Sequence, residues 1–125
     1  MDSDVVELSV EAVSGRIAVV RNLVEAVLLA EDFGLDTIAD VKIGVDEACT
    51  QLVAAAPPRA RLRLHLTTGA EYARVTVCCD IDGDDLDQTG FGWYVITSVA
   101  DDADIAYLDG THGREARITM TAHRD

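Results

Sequence analysis

One stretch in the middle of the chain, residues 40–56, limits the possible folds more than any other. Its apolar residues recur at helical spacing: Val41, Val45, Ala48 and Leu52. This spacing is typical of an amphipathic helix that packs one side against a core. Pro57 and Pro58 follow and cannot continue a helix. The sequence therefore predicts a long helix that ends abruptly before the next element.

This helix carries polar side chains in its middle, at Asp46, Glu47 and Gln51. Residues four positions apart lie on the same helix face, so Glu47 and Gln51 can face one ligand together. A carboxylate can act as a general base, and an amide oxygen can coordinate Mg²⁺. The same residues would also suit a solvated acidic helix face, and two side chains alone do not decide between these interpretations.

The flanking segments show two kinds of periodicity. Alternating apolar residues predict a strand near residues 6–10, a hairpin over 61–66 and 72–79, and final strands at 105–108 and 116–122. Helical spacing predicts helices over 17–28 and 91–99. Mixed helices and hairpins indicate an α/β (α+β) two-layer sandwich, with helices on one face of a mixed, mostly antiparallel sheet. We expect residues 1–125 to form a single domain.

Several polar residues and glycines are predicted to mark helix ends. Ser14 is placed to cap the first helix, and Gly34 suits its left-handed C-terminal end. Thr37 and Asp40 have the spacing of a capping box for the second helix.

The formal net charge of −13 excludes some partners. Such a surface repels nucleic acid and anionic lipid, and it favours either simple solubility or a basic protein partner. No apolar run approaches the roughly 20 residues that span a membrane. The acidic N-terminus is unlike a signal peptide, and three cysteines without metal-binding spacing suit a reducing compartment. We therefore expect a cytoplasmic protein.

A second candidate site is the loop over residues 80–92, which contains five aspartates and three glycines. Gly90 and Gly92 open directly onto the predicted third helix, whose free N–H groups could bind phosphate. The alternative is an ordinary acidic turn before a helix. The loop lacks the glycine and glutamate spacing of an EF-hand.

The order of these segments resembles the bacterial anti-sigma factor serine kinases, which belong to the Bergerat-fold (GHKL) ATPases together with gyrase B and histidine kinases. Residues 40–53 resemble the N-box helix of that family, and residues 89–102 resemble its glycine box and following helix. The sequence Ile118-Thr-Met-Thr121 resembles its last strand. The similarity covers nearly the whole chain and is strongest to the actinobacterial regulators of stress-response and sporulation sigma factors.

The resemblance implies a site for ATP and Mg²⁺, with Glu47 as the catalytic base and Gln51 as the metal ligand. The implied ATP-binding residues are Gln51, Asp82, Gly83, Gly90, Gly92 and Thr119. The sequence departs from the family at three points. Gln51 replaces an Asn, the first glycine motif lacks its second Gly after Gly83, and the lid segment before Gly90 is short. These departures predict weak or lost catalysis.

The resemblance also implies the function. We expect an anti-sigma factor that sequesters an alternative sigma factor and is released by an anti-anti-sigma antagonist, a mechanism called partner switching. It implies a homodimer formed through the sheet and first strand, with Arg16 and Arg21 contacting a partner. The alternative is an active Mg-ATP-dependent serine/threonine kinase that phosphorylates the antagonist, so enzymatic activity stays open. A third possibility is an α/β domain of unrelated role.

Overall fold

The computed structural model describes residues 4–110 and 113–124. Three helices and five strands follow in the predicted order: β1 (Asp4–Glu11), α1 (Ile17–Ala30), α2 (Leu35–Ala55), β2 (Arg61–Thr68), β3 (Tyr72–Ile81), α3 (Phe91–Val99), β4 (Asp102–Gly110) and β5 (Gly113–His123). The last two strands are longer than predicted, and residues 111 and 112 of their connection lie outside the described residues.

The five strands form one sheet in the order β1-β2-β3-β5-β4, and every neighbouring pair is antiparallel. Two hairpins, β2–β3 and β4–β5, meet where β3 pairs with β5. In that pairing Val75 lies opposite Met120, and Thr76 lies opposite Thr119. Since successive residues of a strand point to opposite faces, this register fixes which side chains reach the helices.

All three helices cover the same face of the sheet, and the core lies between the two layers. The predicted apolar face of α2 is buried, as are the inward residues of the central strands: Val41, Val45, Ala48, Leu52, Leu62, Leu64, Leu66, Val75 and Val77. The long middle helix and its apolar face are therefore confirmed. None of the helices in the described part of the chain is both long and apolar enough to cross a bilayer.

Helix α2 lies close to β5 and α3 at Gly44. A Cβ atom at this position would lie 2.7 Å from Met120 Sδ and 3.4 Å from Val99 Cγ2. The absence of a side chain at Gly44 therefore lets the start of the N-box-like segment pack directly on the last strand and on α3.

The predicted helix ends need correction. Residues 14–16 form a 3-10 turn, and the N-cap of α1 is Arg16, without a side-chain capping bond. The left-handed residue after α1 is Asp32 (φ 61°), whereas Gly34 is extended and serves as the N-cap of α2.

The turn after α1 is a Schellman motif. The N–H of Phe33 donates to the carbonyl of Leu28 (3.0 Å), and the N–H of Asp32 donates to that of Leu29 (3.1 Å). Phe33 and Leu28 are both buried, which supplies the apolar contact that accompanies this motif. Because α2 begins immediately afterwards, at Leu35, Thr37 lies inside its first turn and cannot start a capping box.

Candidate functional site

The helix α2 and the start of α3 form the two walls of an open cleft of about 330 Å³. Helical spacing brings Glu47 and Gln51 to the same wall, as predicted from their positions. The lining residues come from α2, from the loop before α3 and from the first turn of α3: Glu47, Gln51, Ala54, Leu86, Asp87, Gly90, Phe91 and Gly92. The structure thus brings together four of the sequence-predicted site residues.

Gly92 is the point where the two walls touch. A Cβ atom at Gly92 would lie 2.5 Å from Gln51 Nε2 and closer still to Glu47 Oε1. Real Cβ atoms do not approach other atoms so closely. Glycine at this position therefore allows the backbone of α3 to lie directly on the side chains of Glu47 and Gln51.

The start of α3 is capped from within the chain by Asp87. One Asp87 carboxylate oxygen accepts hydrogen bonds from the Thr89 hydroxyl (2.6 Å) and the Thr89 N–H (2.8 Å). The hydrogen bond from the Thr89 hydroxyl is the largest cause that lowers the pKa of Asp87. Bonds from the backbone N–H groups of Thr89 and Gly90 lower this pKa further. A carboxylate thus lies at the positive end of the α3 dipole, where a helix favours negative charge.

This arrangement does not fit a magnesium nucleotide. The start of α3 is the position at which phosphate would bind, and it is covered by the Asp87 carboxylate. Glu47 adds a second negative charge, and the backbone of Gly92 lies against the side chains of Glu47 and Gln51 on one side of the cleft. Binding of ATP and Mg²⁺ stays a prediction that this conformation does not support.

Asp82 and Gly83 lie beyond the cleft, at the C-terminal end of α2. The N–H of Asp82 donates to the carbonyl of Ala55 (2.8 Å), which ties the end of β3 to the end of α2. Gly83 has φ 77°, a left-handed conformation that favours glycine. Both residues are exposed, and neither lines the cleft. Their positions indicate a turn rather than a contact with the cleft.

Thr119 is on the wrong face of the sheet to join the cleft. Its neighbours Ile118 and Met120 are buried beneath the helices, so Thr119 points away from them. Its hydroxyl lies 3.2 Å from that of Thr76 on the open face. The expected contact between Thr119 and a nucleotide is therefore not supported, because the register places Met120 against α2 instead.

The two arginines predicted to contact a partner differ in their surroundings. Arg16 is exposed at the start of α1. Arg21 is half-buried and pairs with Asp46 of α2 at 2.6 Å. A second pair, Lys42 with Glu25 at 2.9 Å, joins the same two helices. Asp46 thus supports the α1–α2 contact, whereas its neighbour Glu47 faces the cleft.

The open face of the sheet carries a charged cluster that sequence patterns did not identify. The Glu115 carboxylate is bound by Arg63 of β2 and by Arg117, the latter at 2.6 Å. These side chains surround Cys78 in a depression of about 400 Å³. Burial raises the pKa of the Cys78 thiol, and the Glu115 carboxylate adds to this effect. Alternation in β2 and β3 indicated outward-facing polar residues, but not which of them meet across strands.

The comparisons with known proteins agree with the geometry at the level of fold and family. No family model matches the sequence. Proteins named anti-sigma-F factor RsbW from two strains of Mycobacterium tuberculosis are 37% identical over 124 residues, which cover 95% of this chain and 73% of each relative.

Among solved structures, the RsbU and RsbW domains of Rv1364c from Mycobacterium tuberculosis match with a TM-score of 0.72 at 16% identity. That match covers 98% of this chain and 33% of the solved chain, so this chain spans a minor part of that protein. The predicted two-layer GHKL-like fold and the predicted relationship are both confirmed. The chain therefore belongs to the RsbW family of anti-sigma factors.

Proposed function

We propose that this protein is an anti-sigma factor that binds an alternative sigma factor and keeps it from RNA polymerase. The observation that carries the proposal is the 37% identity to anti-sigma-F factors over 95% of the chain. Its regulatory action is stoichiometric binding, and the sigma factor is its main partner. Three buried free cysteines suit the reducing cytoplasm, where RNA polymerase works.

The charge of the protein supports a basic protein partner. With a net charge of −13, the chain attracts a positively charged surface and repels DNA. Such complementarity raises association rates and excludes acidic competitors. Arg16 lies exposed at the start of α1 and is available to a carboxylate of the partner. Arg21 is already paired with Asp46, so its contribution is to hold α1 against α2.

Release by an anti-anti-sigma antagonist and homodimerisation are further parts of the proposal. Among the described residues, β1 is an edge strand of the sheet, and all three helices lie on one of the two sheet faces. Unpaired edges and uncovered sheet faces are surfaces that a second chain can use. The charged cluster of Arg63, Glu115 and Arg117 would then lie within the dimer contact.

Kinase activity has less support from the cleft. Phosphoryl transfer depends on positioning and on cations that neutralise phosphate charge. Here Asp87 caps the start of α3 and Gly92 lies on Glu47 and Gln51. We therefore assign no phosphoryl-transfer step to Glu47 and propose that sigma binding proceeds without nucleotide.

The test is a binding assay of the purified chain against each alternative sigma factor of its genome, without added nucleotide. We expect one sigma factor to bind with a submicromolar Kd and the housekeeping sigma factor not to bind. Replacing Arg16→Glu should weaken that binding about tenfold through charge reversal at the contact. The matched control is Arg59→Glu, an exposed arginine in the turn before β2. Failure of every sigma factor to bind the wild-type protein would refute the proposal.

A further inference from the structure

Two aromatic side chains of α3 are exposed next to the cleft. Phe91 is 79% exposed and Tyr94 is 65% exposed, and their ring centroids lie 6.2 Å apart. On the other side of the same helix Ile96 is fully buried and Trp93 packs on the core. Packing within the chain thus explains Trp93 and Ile96 but leaves the outer aromatic pair without a folding role. Exposed aromatic residues are typical anchors of protein interfaces.

The charge around these aromatic residues is negative and largely uncompensated. Glu47 and Asp87 line the cleft beside Phe91. Among the described residues, no hydrogen bond or ion pair engages the side chains of Glu47 and Gln51. Arg114 lies near the preceding loop, but its guanidinium is already bound to Asp85 (2.5 Å) and stacked on the Tyr107 ring (4.4 Å). The cleft therefore attracts a cation from outside the chain.

The lining suits one long cationic side chain. An arginine guanidinium could stack on the Phe91 ring, where cation–π attraction is favourable. Its N–H groups would find acceptors in the Glu47 carboxylate and the Gln51 amide oxygen, and charged hydrogen bonds of this kind are strong. Ala54 and Leu86 offer apolar contact for its methylene groups.

We propose that the cleft between α2 and α3 is a docking site for an arginine side chain of a basic protein segment, with Phe91 and Tyr94 as the adjacent apolar anchor. The inference rests on the proposed function, since the segment belongs to the bound sigma factor. The family resemblance implied an anionic nucleotide in this cleft, whereas we assign to it a cationic side chain of a protein.

The first test is a titration of ¹⁵N-labelled protein with N-acetyl-arginine amide as the probe. NMR records the backbone amide shifts. We expect saturable shifts of the Gly90 and Gly92 amides at millimolar concentrations. N-acetyl-citrulline amide, which is uncharged but nearly the same shape, should give no such shifts. The Glu47→Gln variant should lose the response, and Glu71→Gln, an exposed glutamate elsewhere, should keep it. Shifts of these amides with ATP but not with the arginine probe would overturn the inference.

The second test measures the Kd of the sigma factor that binds the wild-type chain. Phe91→Ala and Glu47→Gln should each weaken binding by about tenfold or more. Leu35→Ala, which removes another exposed apolar side chain, should leave binding unchanged. Unchanged binding by both cleft variants would overturn the docking site while the anti-sigma function stands. If no sigma factor binds the wild-type chain, the proposed function fails, and the NMR titration still decides whether the cleft binds arginine.

Discussion

At the scale of single residues, the cysteines show how burial sets chemistry. Cys49 of α2 and Cys79 of β3 lie in the apolar layer between helix and sheet, and both are fully buried. Burial raises the pKa of Cys49 to about 12 and that of Cys79 to about 11. The carboxylate of Asp46 adds to the effect on Cys49, and that of Asp80 to the effect on Cys79. Both thiols are therefore neutral packing groups, not reactive ones.

These raised pKa values predict a loss of stability at alkaline pH. Well below pH 9 both thiols are protonated in the folded and unfolded chains, so they contribute no pH dependence. Above pH 9 the unfolded chain loses these protons while the folded chain retains them, up to about pH 11 for Cys79 and about pH 12 for Cys49. The free energy of unfolding should then fall by roughly 1 kcal/mol per pH unit for each thiol.

Urea unfolding at several pH values between 8 and 10.5 measures this slope. The double variant Cys49→Ala/Cys79→Ala is the matched control, because it removes both titrating groups. We expect a lower baseline stability but a flatter pH dependence for the variant. If the free energy of unfolding falls equally steeply with pH in the two proteins, the folded chain does not retain the protons of these thiols.

At the scale of elements, the helix ends are held by contacts other than side-chain bonds from the N-cap residues. In the described part of the chain, none of the three α-helices has a side-chain capping bond from its N-cap residue. The start of α3 is held by Asp87, three residues before the N-cap Gly90. The α1–α2 turn is held by Arg124, near the end of the chain. Its guanidinium donates to the carbonyls of Glu31 (2.9 Å) and Asp32 (3.2 Å).

Arg124 also joins this turn to the β2–β3 hairpin. Its side chain donates to the Ala70 carbonyl (3.0 Å) and the Gly69 carbonyl (3.3 Å), and it lies 3.8 Å from the centroid of the Phe33 ring. One residue thus connects three distant segments. Sequence periodicity gives no sign of this role, because a residue after the last strand carries no helix or strand pattern.

We predict that Arg124→Ala lowers the free energy of unfolding by about 1.5–3 kcal/mol, since it leaves several carbonyls without a charged donor. Arg124→Lys should recover only part of the loss, because an ammonium group lacks the planar fork of donors. Chemical denaturation measures both effects. Arg59→Ala, whose arginine makes no hydrogen bond or ion pair within the described residues, should change stability by less than about 0.5 kcal/mol. A similar small effect for Arg124→Ala would contradict the role given to this side chain.

At the scale of the whole molecule, sequence patterns predicted the element order and the two layers, because periodicity reports which face of each element is apolar. The structure brings the Glu47–Gln51 pair and the Gly90–Gly92 segment, which the sequence offered as two candidate sites, to one cleft. Thr119, which the family resemblance implied, lies on the open face of the sheet, because successive strand residues point to opposite faces. Sequence patterns missed Arg63 with Glu115, whose positions are 52 residues apart, since local patterns do not show side-chain pairing across strands.

The central claim is that this chain inhibits transcription by holding a sigma factor, and in vitro transcription tests it most directly. RNA polymerase core enzyme, the sigma factor found to bind and a promoter specific to that sigma factor are mixed with increasing amounts of the purified chain. We predict that transcripts disappear as the chain approaches equimolar amounts with the sigma factor, while transcription by the housekeeping sigma factor continues. Undiminished transcription at a large excess of the chain would contradict this claim.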